Sequence, residues 1–191
     1  MQARNGLCAA LAGALCLILS SVANAATGTI DHDGQPLTLA DAPTTLANSN
    51  VTIADGNQVS IVCQSEGQTL SGDFGASSLW DLINVGGVLR YAPDAFVNTG
   101  TNGFVAPICG SASGTSAFGV VRASAGLRVH TQPSTSSPVV TTVPNDTVVE
   151  IGCQTNGSNV NGDTLWDSIP NGFVTDFFVL TGADGRIAGS C

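Results

Sequence analysis

A segment of this chain occurs twice, with the same landmark residues in the same order. The upstream landmarks are Pro43, Cys63-Gln64, Gly67, Gly72, Trp80-Asp81, Phe96-Val97, Thr99-Gly100 and Cys109. The downstream landmarks are Pro133, Cys153-Gln154, Gly157, Gly162, Trp166-Asp167, Phe178-Val179, Thr181-Gly182 and Cys191. The proline and the first cysteine are 20 residues apart in both copies, and the first copy has four extra residues on each side of its tryptophan. Matched landmarks with length changes confined to the stretches between them indicate two homologous domains with tolerant loops.

The N-terminus has the layout of a secretory signal. Arg4 precedes an apolar run of 13 residues from Leu7 to Leu19, and Ala23-Asn24-Ala25 supplies the small residues of a cleavage site. A run of this length is too short to cross a bilayer comfortably, so a permanent membrane anchor is the weaker alternative. We therefore predict a signal peptide over residues 1–25, a secreted, extracellular protein, and no membrane insertion after cleavage.

The four cysteines that follow the predicted signal fall as one pair in each repeat. Four cysteines allow three connectivities, and the repeat selects Cys63–Cys109 and Cys153–Cys191. Closing a loop of this size corresponds to about 4 kcal/mol in the chain-entropy model, a large share of the stability of a small domain. A four-cysteine metal site is the alternative. It is disfavoured because the chain has no Cys-x-x-Cys spacing and carries an export signal.

The charge balance is strongly acidic. The chain has 14 acidic residues against five arginines, and losing Arg4 with the signal changes the net charge from −9 to −10. Because binding to a phosphate backbone requires clustered cations, nucleic acid is not expected as a partner. Anionic membrane surfaces are disfavoured for the same reason. We interpret the charge as a source of solubility outside the cell.

Downstream of the signal, the apolar residues follow a period of two. Val139–Val143 and Thr147–Ile151 are β-branched runs separated by the turn residues Pro144-Asn145-Asp146, and residues 51–61 repeat this hairpin upstream. Short strands at close spacing predict an all-β fold of compact antiparallel barrels. The predicted organisation is a flexible N-terminal segment at 26–36, a first domain at 37–109, a small-residue linker at 110–118 and a second domain at 119–191.

The second repeat also resembles a known family. The residues concerned are Leu127-Arg128-Val129, Pro133-Ser134-Thr135-Ser136, Pro138-Val139-Val140, Val149-Glu150-Ile151, Leu165-Trp166-Asp167 and Gly172-Phe173-Val174. Together they resemble bacterial SH3-like (SH3b) domains, and the Cys-Gln-x-x-Gly and Trp-Asp elements resemble a secreted subgroup common in actinobacteria. Residues 37–109 are more diverged, with Pro43-Thr44-Thr45-Leu46 in place of Pro-Ser-Thr-Ser. The resemblance implies two SH3-like antiparallel barrels in tandem, of about five to seven strands each, serving as non-catalytic targeting or peptidoglycan-binding modules.

No residue pattern points to catalysis. A nucleophile needs a base within hydrogen-bond reach and a group that orients the base. The mature chain has only His32 and His130, and the first repeat has Ala40 in place of His130. The segment Asp31-His32-Asp33-Gly34 resembles the start of a calcium loop, but the later ligands are missing. We interpret that segment as a solvated tail and predict no enzyme activity, no metal and no cofactor.

Trp80-Asp81 and Trp166-Asp167 are the candidate ligand-binding residues. An exposed tryptophan on a small barrel can stack against a sugar or a peptide, whereas a buried one forms the centre of the core; the general burial of tryptophan favours the core. Asp81 and Asp167 form the only carboxylate pair at matching positions, but they belong to separate domains. We therefore expect each to order a turn beside its tryptophan rather than to hydrolyse a glycoside.

These features predict a secreted binding protein without catalytic activity. Its expected partner is a cell-wall glycan or peptide, since two linked modules raise avidity without new chemistry. The alternative is a secreted protein–protein interaction module, such as an inhibitor or partner of an extracellular hydrolase. A hydrolase that depends on His130 or Asp167 is the third and least favoured class.

Overall fold

A computed structural model describes residues 26–191, and the predicted signal at 1–25 lies outside them. The regular structure in the described residues consists of β-strands and short 3-10 turns, and the named strands pair antiparallel. The all-β prediction is therefore confirmed. Residues 26–191 include no helix with the length and apolar character needed to cross a membrane.

Seven strands build the first repeat and form one sheet. They are β1 (Ala26–Ile30), β2 (Leu37–Ala40), β3 (Asn48–Ile53), β4 (Gln58–Gly72), β5 (Gly75–Val85), β6 (Val88–Pro93) and β7 (Val97–Asn98). Hydrogen bonds join them in the order β3-β2-β6-β5-β4-β1-β7. A 3-10 turn at Asp94–Phe96 connects β6 to the short β7.

The second repeat has the same order of strands but divides them between two sheets. The strands are β8 (Ala117–Val121), β9 (Leu127–His130), β10 (Val139–Val143), β11 (Val148–Ile151), β12 (Cys153–Val160), β13 (Asp163–Ile169), β14 (Gly172–Thr175) and β15 (Val179–Leu180). One sheet has the order β10-β9-β14-β13-β12 and the other β11-β8-β15. The division occurs at Gly152, which separates β11 from β12 where the first repeat has Val62 inside the unbroken β4.

The sheets remain open. Among the described strands no ladder joins β3 to β7, or β10 to β12, so hydrogen bonding does not close either repeat into a barrel. The long β4 instead bends through irregularities in its pairing with β5, between Ile61 and Cys63 and between Glu66 and Leu70. Such irregularities bend a strand and increase its twist, which lets one strand pass around the core.

The first strand corrects the prediction of a flexible segment at 26–36. β1 pairs with β4 on one side and with β7 on the other, and its Ile30 is buried in the core. Only residues 31–36 form a turn, in which Asp33 and Gly34 have positive φ. The turn-forming composition of the segment predicted that turn, but strand pairing with distant residues orders the five residues before it.

β1 and β8 are equivalent, so each repeat begins one strand earlier than the landmarks indicate. Gly28 and Gly119 occupy the same place in these strands. A Cβ at Gly28 would lie 2.5 Å from Cγ1 of Val97, and one at Gly119 would lie 2.4 Å from Cγ1 of Val179. Only glycine allows the last strand of each repeat to approach this closely.

The predicted linker at 110–118 is ordered. A 3-10 turn at Ser111–Ser113 is held to the second repeat by a hydrogen bond of 2.9 Å from the Ser111 amide to the Ile187 carbonyl. β8 already begins at Ala117, and Phe118 is buried edge-on against Tyr91 of the first repeat, with ring centroids 5.8 Å apart. The small residues of the segment predicted flexibility, but burial of Phe118 in a cluster shared by both repeats fixes it.

Both predicted disulfides are confirmed. Cys63–Cys109 and Cys153–Cys191 each join Cα atoms 5.0 Å apart. Beside each disulfide the chain forms an isolated parallel bridge, Gln64 with Ile108 and Gln154 with Ser190. Each disulfide therefore fastens the C-terminal segment of its repeat to the strand that contains the Cys-Gln landmark, β4 in the first repeat and β12 in the second.

Candidate functional site

The Cys-Gln landmark of the first repeat places a fully buried glutamine beside the disulfide. Oε1 of Gln64 accepts hydrogen bonds from the backbone amides of Val105 at 2.6 Å and Ala106 at 2.9 Å. Its Nε2 donates to Oδ1 of Asp81 at 2.7 Å. One side chain thus satisfies two backbone donors and one carboxylate in the interior.

The second repeat reproduces this arrangement. Oε1 of Gln154 accepts from the amides of Ile187 and Ala188 at 2.8 and 2.9 Å. Its Nε2 donates to Oδ1 of Asp167 at 2.7 Å and to Oδ1 of Asp176 at 3.2 Å. We call each glutamine with its hydrogen-bond partners a glutamine clamp.

The clamps correct the role predicted for the aspartates. Asp81 lies opposite Gln64 in the β4–β5 ladder, and Asp167 lies opposite Gln154 in the β12–β13 ladder. Neither aspartate orders a turn beside its tryptophan. Directly opposed residues on one face of an antiparallel pair are in contact, so the pairing follows from the register.

In the first repeat, a second carboxyl group lies near the clamp. Burial raises the pKa of Asp81 to about 7, and the charge of Asp94 adds to the rise, while the hydrogen bond from Gln64 opposes it. Burial also raises the pKa of Asp94, opposed by the hydrogen bond that Ser77 donates at 2.9 Å. The pair therefore retains a proton at mildly acidic pH.

In the second repeat the two carboxyl groups beside the clamp both have raised pKa values. Burial and then the charges of Asp167 and Asp163 raise the pKa of Asp176, and Asp184 adds to the rise. Burial also raises the pKa of Asp167, while hydrogen bonds from Gln154 and Asp176 oppose the rise. Asp167 and Asp176 therefore titrate as a pair and bind a proton more readily than exposed carboxyl groups do.

Asp163 places an additional carboxyl group beside the clamp of the second repeat, where the first repeat has the hydroxyl of Ser77. Oδ1 of Asp163 accepts the amide of Leu165 at 2.8 Å, as Oγ of Ser77 accepts the amide of Leu79 at 3.1 Å. The two side chains therefore occupy equivalent positions. The Ser77 hydroxyl can also donate to its neighbouring carboxyl, whereas a carboxylate at 163 cannot. The second repeat consequently gathers four carboxyl groups, those of Asp163, Asp167, Asp176 and Asp184.

The structure buries all four candidate ligand-binding residues. Trp80 and Trp166 are each 1% exposed, and Asp81 and Asp167 have no exposed surface. The indole Nε1 groups donate to the carbonyls of Gln68 and Ser158, at 3.0 and 2.9 Å. Of the two alternatives for the tryptophans, the structure therefore shows the core position. A domain this small needs its largest side chain inside to build a core.

The conserved spacing between cysteine and glycine in the two repeats serves the same packing. A Cβ at Gly67 would lie 2.6 Å from Cδ1 of Trp80, and one at Gly157 would lie 2.7 Å from Cδ1 of Trp166. The Cβ at Gly67 would also collide with the carbonyl oxygen of Pro43, and the Cβ at Gly157 with that of Pro133. Glycine is required here because the indole ring and the preceding loop both contact the backbone.

We expect the Trp166→Phe substitution to lower the free energy of unfolding by about 1–3 kcal/mol, because it removes a buried hydrogen bond and leaves unfilled volume. Ligand adsorption should not change, because the ring is buried. Urea denaturation and adsorption to cell walls measure the two effects, with Trp80→Phe as the matched variant of the first repeat. Lost adsorption at unchanged stability would contradict the core role.

The histidines make structural contacts. Nδ1 of His130 forms a hydrogen bond of 3.0 Å with the Ser137 carbonyl, and its ring packs edge-on against Trp166. The His32 ring packs edge-on against Phe96 at 4.7 Å, and its amide donates to Asp55. Over residues 26–191, no group of three or more His, Cys, Asp or Glu side chains is arranged to hold a metal ion.

An open groove of about 880 Å³ lies where the two repeats meet; we call it the junction groove. The first repeat contributes Glu66 and Phe104, and the second contributes Arg122 and residues 161–163 and 176–184. Phe104 is 39% exposed and Phe177 46% exposed, so two aromatic rings are accessible beside carboxyl groups. The junction groove is the candidate ligand site.

Sequence reasoning missed the second carboxyl of each pair. Asp94 and Asp176 both stand two residues before the Phe-Val landmark, so the statement that Asp81 and Asp167 are the only matching carboxylates is wrong. The shared position of Asp94 and Asp176 before the Phe-Val landmark could have revealed this second pair. No shared landmark points to the junction groove, because the groove combines residues that are not equivalent in the two repeats.

Two uncharacterized proteins of Bacillus subtilis (strain 168) are similar to part of this chain. YraJ is 29% identical over 85 residues, which cover 40% of this chain and 69% of YraJ. YraI is 30% identical over 81 residues, which cover 40% of this chain and 68% of YraI. The matched stretches have about the length of one repeat. No family model matches the chain.

Among solved structures, NlpC2 and NlpC1 from Trichomonas vaginalis align with 85% and 84% of this chain, at 10% and 13% identity. The chain spans about half of each of them, 51% and 47%. The TM-score is 0.27 in both cases, and a similarity at that level carries no argument about fold or activity.

Proposed function

We propose that this chain, which belongs to the same family as YraI of Bacillus subtilis, is a secreted, non-catalytic protein that binds an extracellular ligand in the junction groove. The observation that carries the proposal is the groove itself. It has a volume of about 880 Å³, walls from both repeats and two accessible phenylalanine rings. Ligand sites are typically concave, largely apolar and fitted with a few polar groups.

The ligand we propose is a cell-wall glycan or peptide. The landmark residues of 119–191 resemble SH3b modules, and we infer that the two repeats are diverged SH3-like modules in tandem. The all-β architecture and the two disulfides support this inference, and disulfides are typical of proteins that work outside the cell. The apolar sequence at 7–19 supports export by a signal peptide.

The absence of catalysis is proposed from what the groove presents. Asp176, whose carboxyl group lies in the clamp of the second repeat, is 93% buried, since only 7% of its surface is exposed. His32 and His130 do not line the junction groove. In the described part of the chain, therefore, the groove offers aromatic and acidic contacts rather than a nucleophile with its base.

Adsorption to purified insoluble peptidoglycan tests the proposed function. We expect the oxidised protein to be retained, and the Phe177→Ala variant to bind roughly 10-fold more weakly, because it loses an exposed aromatic contact. Leu46→Ala is the matched control, since Leu46 is an exposed apolar residue outside the junction groove. Release of soluble wall fragments would contradict a non-catalytic role, and equal loss in both variants would contradict the assignment of the site.

The edge strand β10 favours a protein partner as the second candidate. β10 has a ladder only with β9 among the described strands, and its Val139 and Val140 are about half exposed. An exposed edge with apolar side chains can pair with a strand of another protein. Recovery of one protein from the secreted fraction, without retention on peptidoglycan, would favour this function.

A further inference from the structure

We propose that Glu66 in the junction groove binds a cationic group of the ligand, a guanidinium or an alkylammonium, with the Phe104 ring beside it. The inference deepens the proposed function and rests on it for the location of the ligand. It assigns Glu66 and Phe104 a role that neither the repeat pattern nor the resemblance gives them.

The second repeat shows what the equivalent position binds. Glu66 pairs with Leu79 in the β4–β5 ladder as Asn156 pairs with Leu165 in the β12–β13 ladder, so Glu66 and Asn156 are equivalent. In the second repeat, Nη2 of Arg186 donates to Oδ1 of Asn156 at 3.0 Å. The acceptor at this position is therefore filled by a guanidinium from the same chain.

The first repeat has no guanidinium at this position and has a carboxylate as the acceptor. Phe104 precedes the two clamped amides of Val105 and Ala106, as Arg186 precedes those of Ile187 and Ala188. Phe104 is thus the equivalent of Arg186. The position that holds the cation in the second repeat is apolar in the first, and the first repeat has the carboxylate of Glu66 where the second has the neutral amide of Asn156.

Glu66 is left without a partner in a nearly closed environment. Only 8% of its surface is exposed, and its Oε2 has no hydrogen-bond partner among residues 26–191. A buried polar atom without a hydrogen-bond partner destabilises a protein. In the second repeat the equivalent acceptor, Asn156, pairs with the guanidinium of Arg186, so the fold accommodates a cation at this position.

The other wall of the junction groove favours the same ligand charge. Asp163 and Asp184 line it, and Arg122, its only lining cation, is paired with Asp146. The exposed rings of Phe104 and Phe177 can receive a cation on their faces. A carboxylate forms strong, often paired hydrogen bonds with a guanidinium or an ammonium group, so Glu66 fits an organic cation.

NMR titration of the ¹⁵N-labelled, oxidised protein tests the ligand class. The probes are Nα-acetyl-arginine methylamide, Nα-acetyl-lysine methylamide and the neutral Nα-acetyl-norleucine methylamide. We expect saturable shifts of groove amides with one or both cations, and binding at least 10-fold weaker with norleucine. The stronger of the two cations identifies a guanidinium or an ammonium ligand. Equal binding of the neutral probe would overturn the proposal.

Two variants test Glu66 itself. Glu66→Gln keeps the shape of the side chain and should weaken binding of the cationic probes at least 10-fold. Phe104→Arg should supply the cation from within the chain, as Arg186 does, and should therefore block the probes and raise the melting temperature. Asp73→Asn removes an exposed negative charge outside the groove and serves as the charge control. If Asp73→Asn weakens binding as much as Glu66→Gln does, the effect is one of net charge and the proposal is wrong.

Measuring adsorption of the same variants to peptidoglycan distinguishes a failure of the cation site from a failure of the proposed function. Retention that depends on Phe177 but is unchanged in Glu66→Gln would leave the proposed function standing and would overturn the cation site. Binding of the cationic probes without retention on peptidoglycan would support the cation site and would move the proposed function to another ligand that carries such a group.

Discussion

We expect the Gln154→Leu substitution to lower the free energy of unfolding by about 3–5 kcal/mol. Leucine removes the acceptor of two backbone amides, those of Ile187 and Ala188, and the donor to two buried carboxyl groups. Each buried polar group left unpaired costs about 1–3 kcal/mol, and more when it is charged. Urea denaturation of the oxidised protein at constant pH, followed by circular dichroism, measures the change.

Two further variants separate the parts of this effect. Gln64→Leu removes the clamp of the first repeat and should destabilise to a similar extent. Gln154→Glu retains the acceptor but replaces the donor with a third carboxyl group facing Asp167 and Asp176, so it isolates the loss of the donor. A loss of less than about 1 kcal/mol for Gln154→Leu would show that water or relaxation satisfies these groups, contrary to the clamp.

The fold class and the disulfides were predictable from the sequence because both repeats show the same pattern for each of them. The β-branched runs gave strands, and the equivalent cysteines gave one pairing out of three. β1 was not predictable in this way, because its five residues are ordered by pairing with β4 and β7, which are far away in the chain. The order of the 110–118 segment was not predictable for the same reason. It depends on distant contacts, the hydrogen bond from the Ser111 amide to the Ile187 carbonyl and the packing of Phe118 on Tyr91.

The candidate site was less predictable than the fold. Trp80 and Trp166 were the main candidates for ligand binding, yet both are buried, because a small domain needs its largest side chains in the core. The clamps require the register of two strands, which places Gln64 opposite Asp81, and periodicity alone does not fix a register. Glu66 and Phe104 become informative only by comparison with Asn156 and Arg186, because the signal there is a difference between repeats rather than a shared landmark.

The second large effect is a decrease in stability with rising pH. We expect the free energy of unfolding to fall by about 2–3 kcal/mol between pH 5 and pH 8. Asp81 accounts for a decrease of this size, since its pKa rises from 3.8 to about 7 on folding and each pKa unit corresponds to about 1.4 kcal/mol. Asp94, Asp167 and Asp176 act in the same direction, because burial raises the pKa of each.

The sign follows from where the protons are bound. A carboxyl group with a raised pKa holds its proton in the folded state at pH values where the unfolded chain has already released it. Its contribution to stability is complete below about pH 4 and is lost as the pH rises through the folded-state pKa, near 7 for Asp81. Urea denaturation at half-unit intervals from pH 5 to pH 8 measures this decrease, and a free energy of unfolding that rises over this range would contradict the buried, proton-retaining pairs.

The two repeats supply the variants that identify the groups responsible. Asp81→Asn preserves an oxygen that accepts the hydrogen bond from Gln64 but cannot ionise, so it should raise stability at pH 8 and reduce the pH dependence. Asp163→Ser gives the second repeat the side chain that Ser77 provides in the first, with a hydroxyl that accepts the Leu165 amide and donates to Asp176. It also removes one of the charges that raise the pKa of Asp176. We therefore expect Asp163→Ser to stabilise the protein more at pH 8 than at pH 5, and stabilisation confined to pH 5 would show that repulsion within the second carboxyl cluster is not the cause.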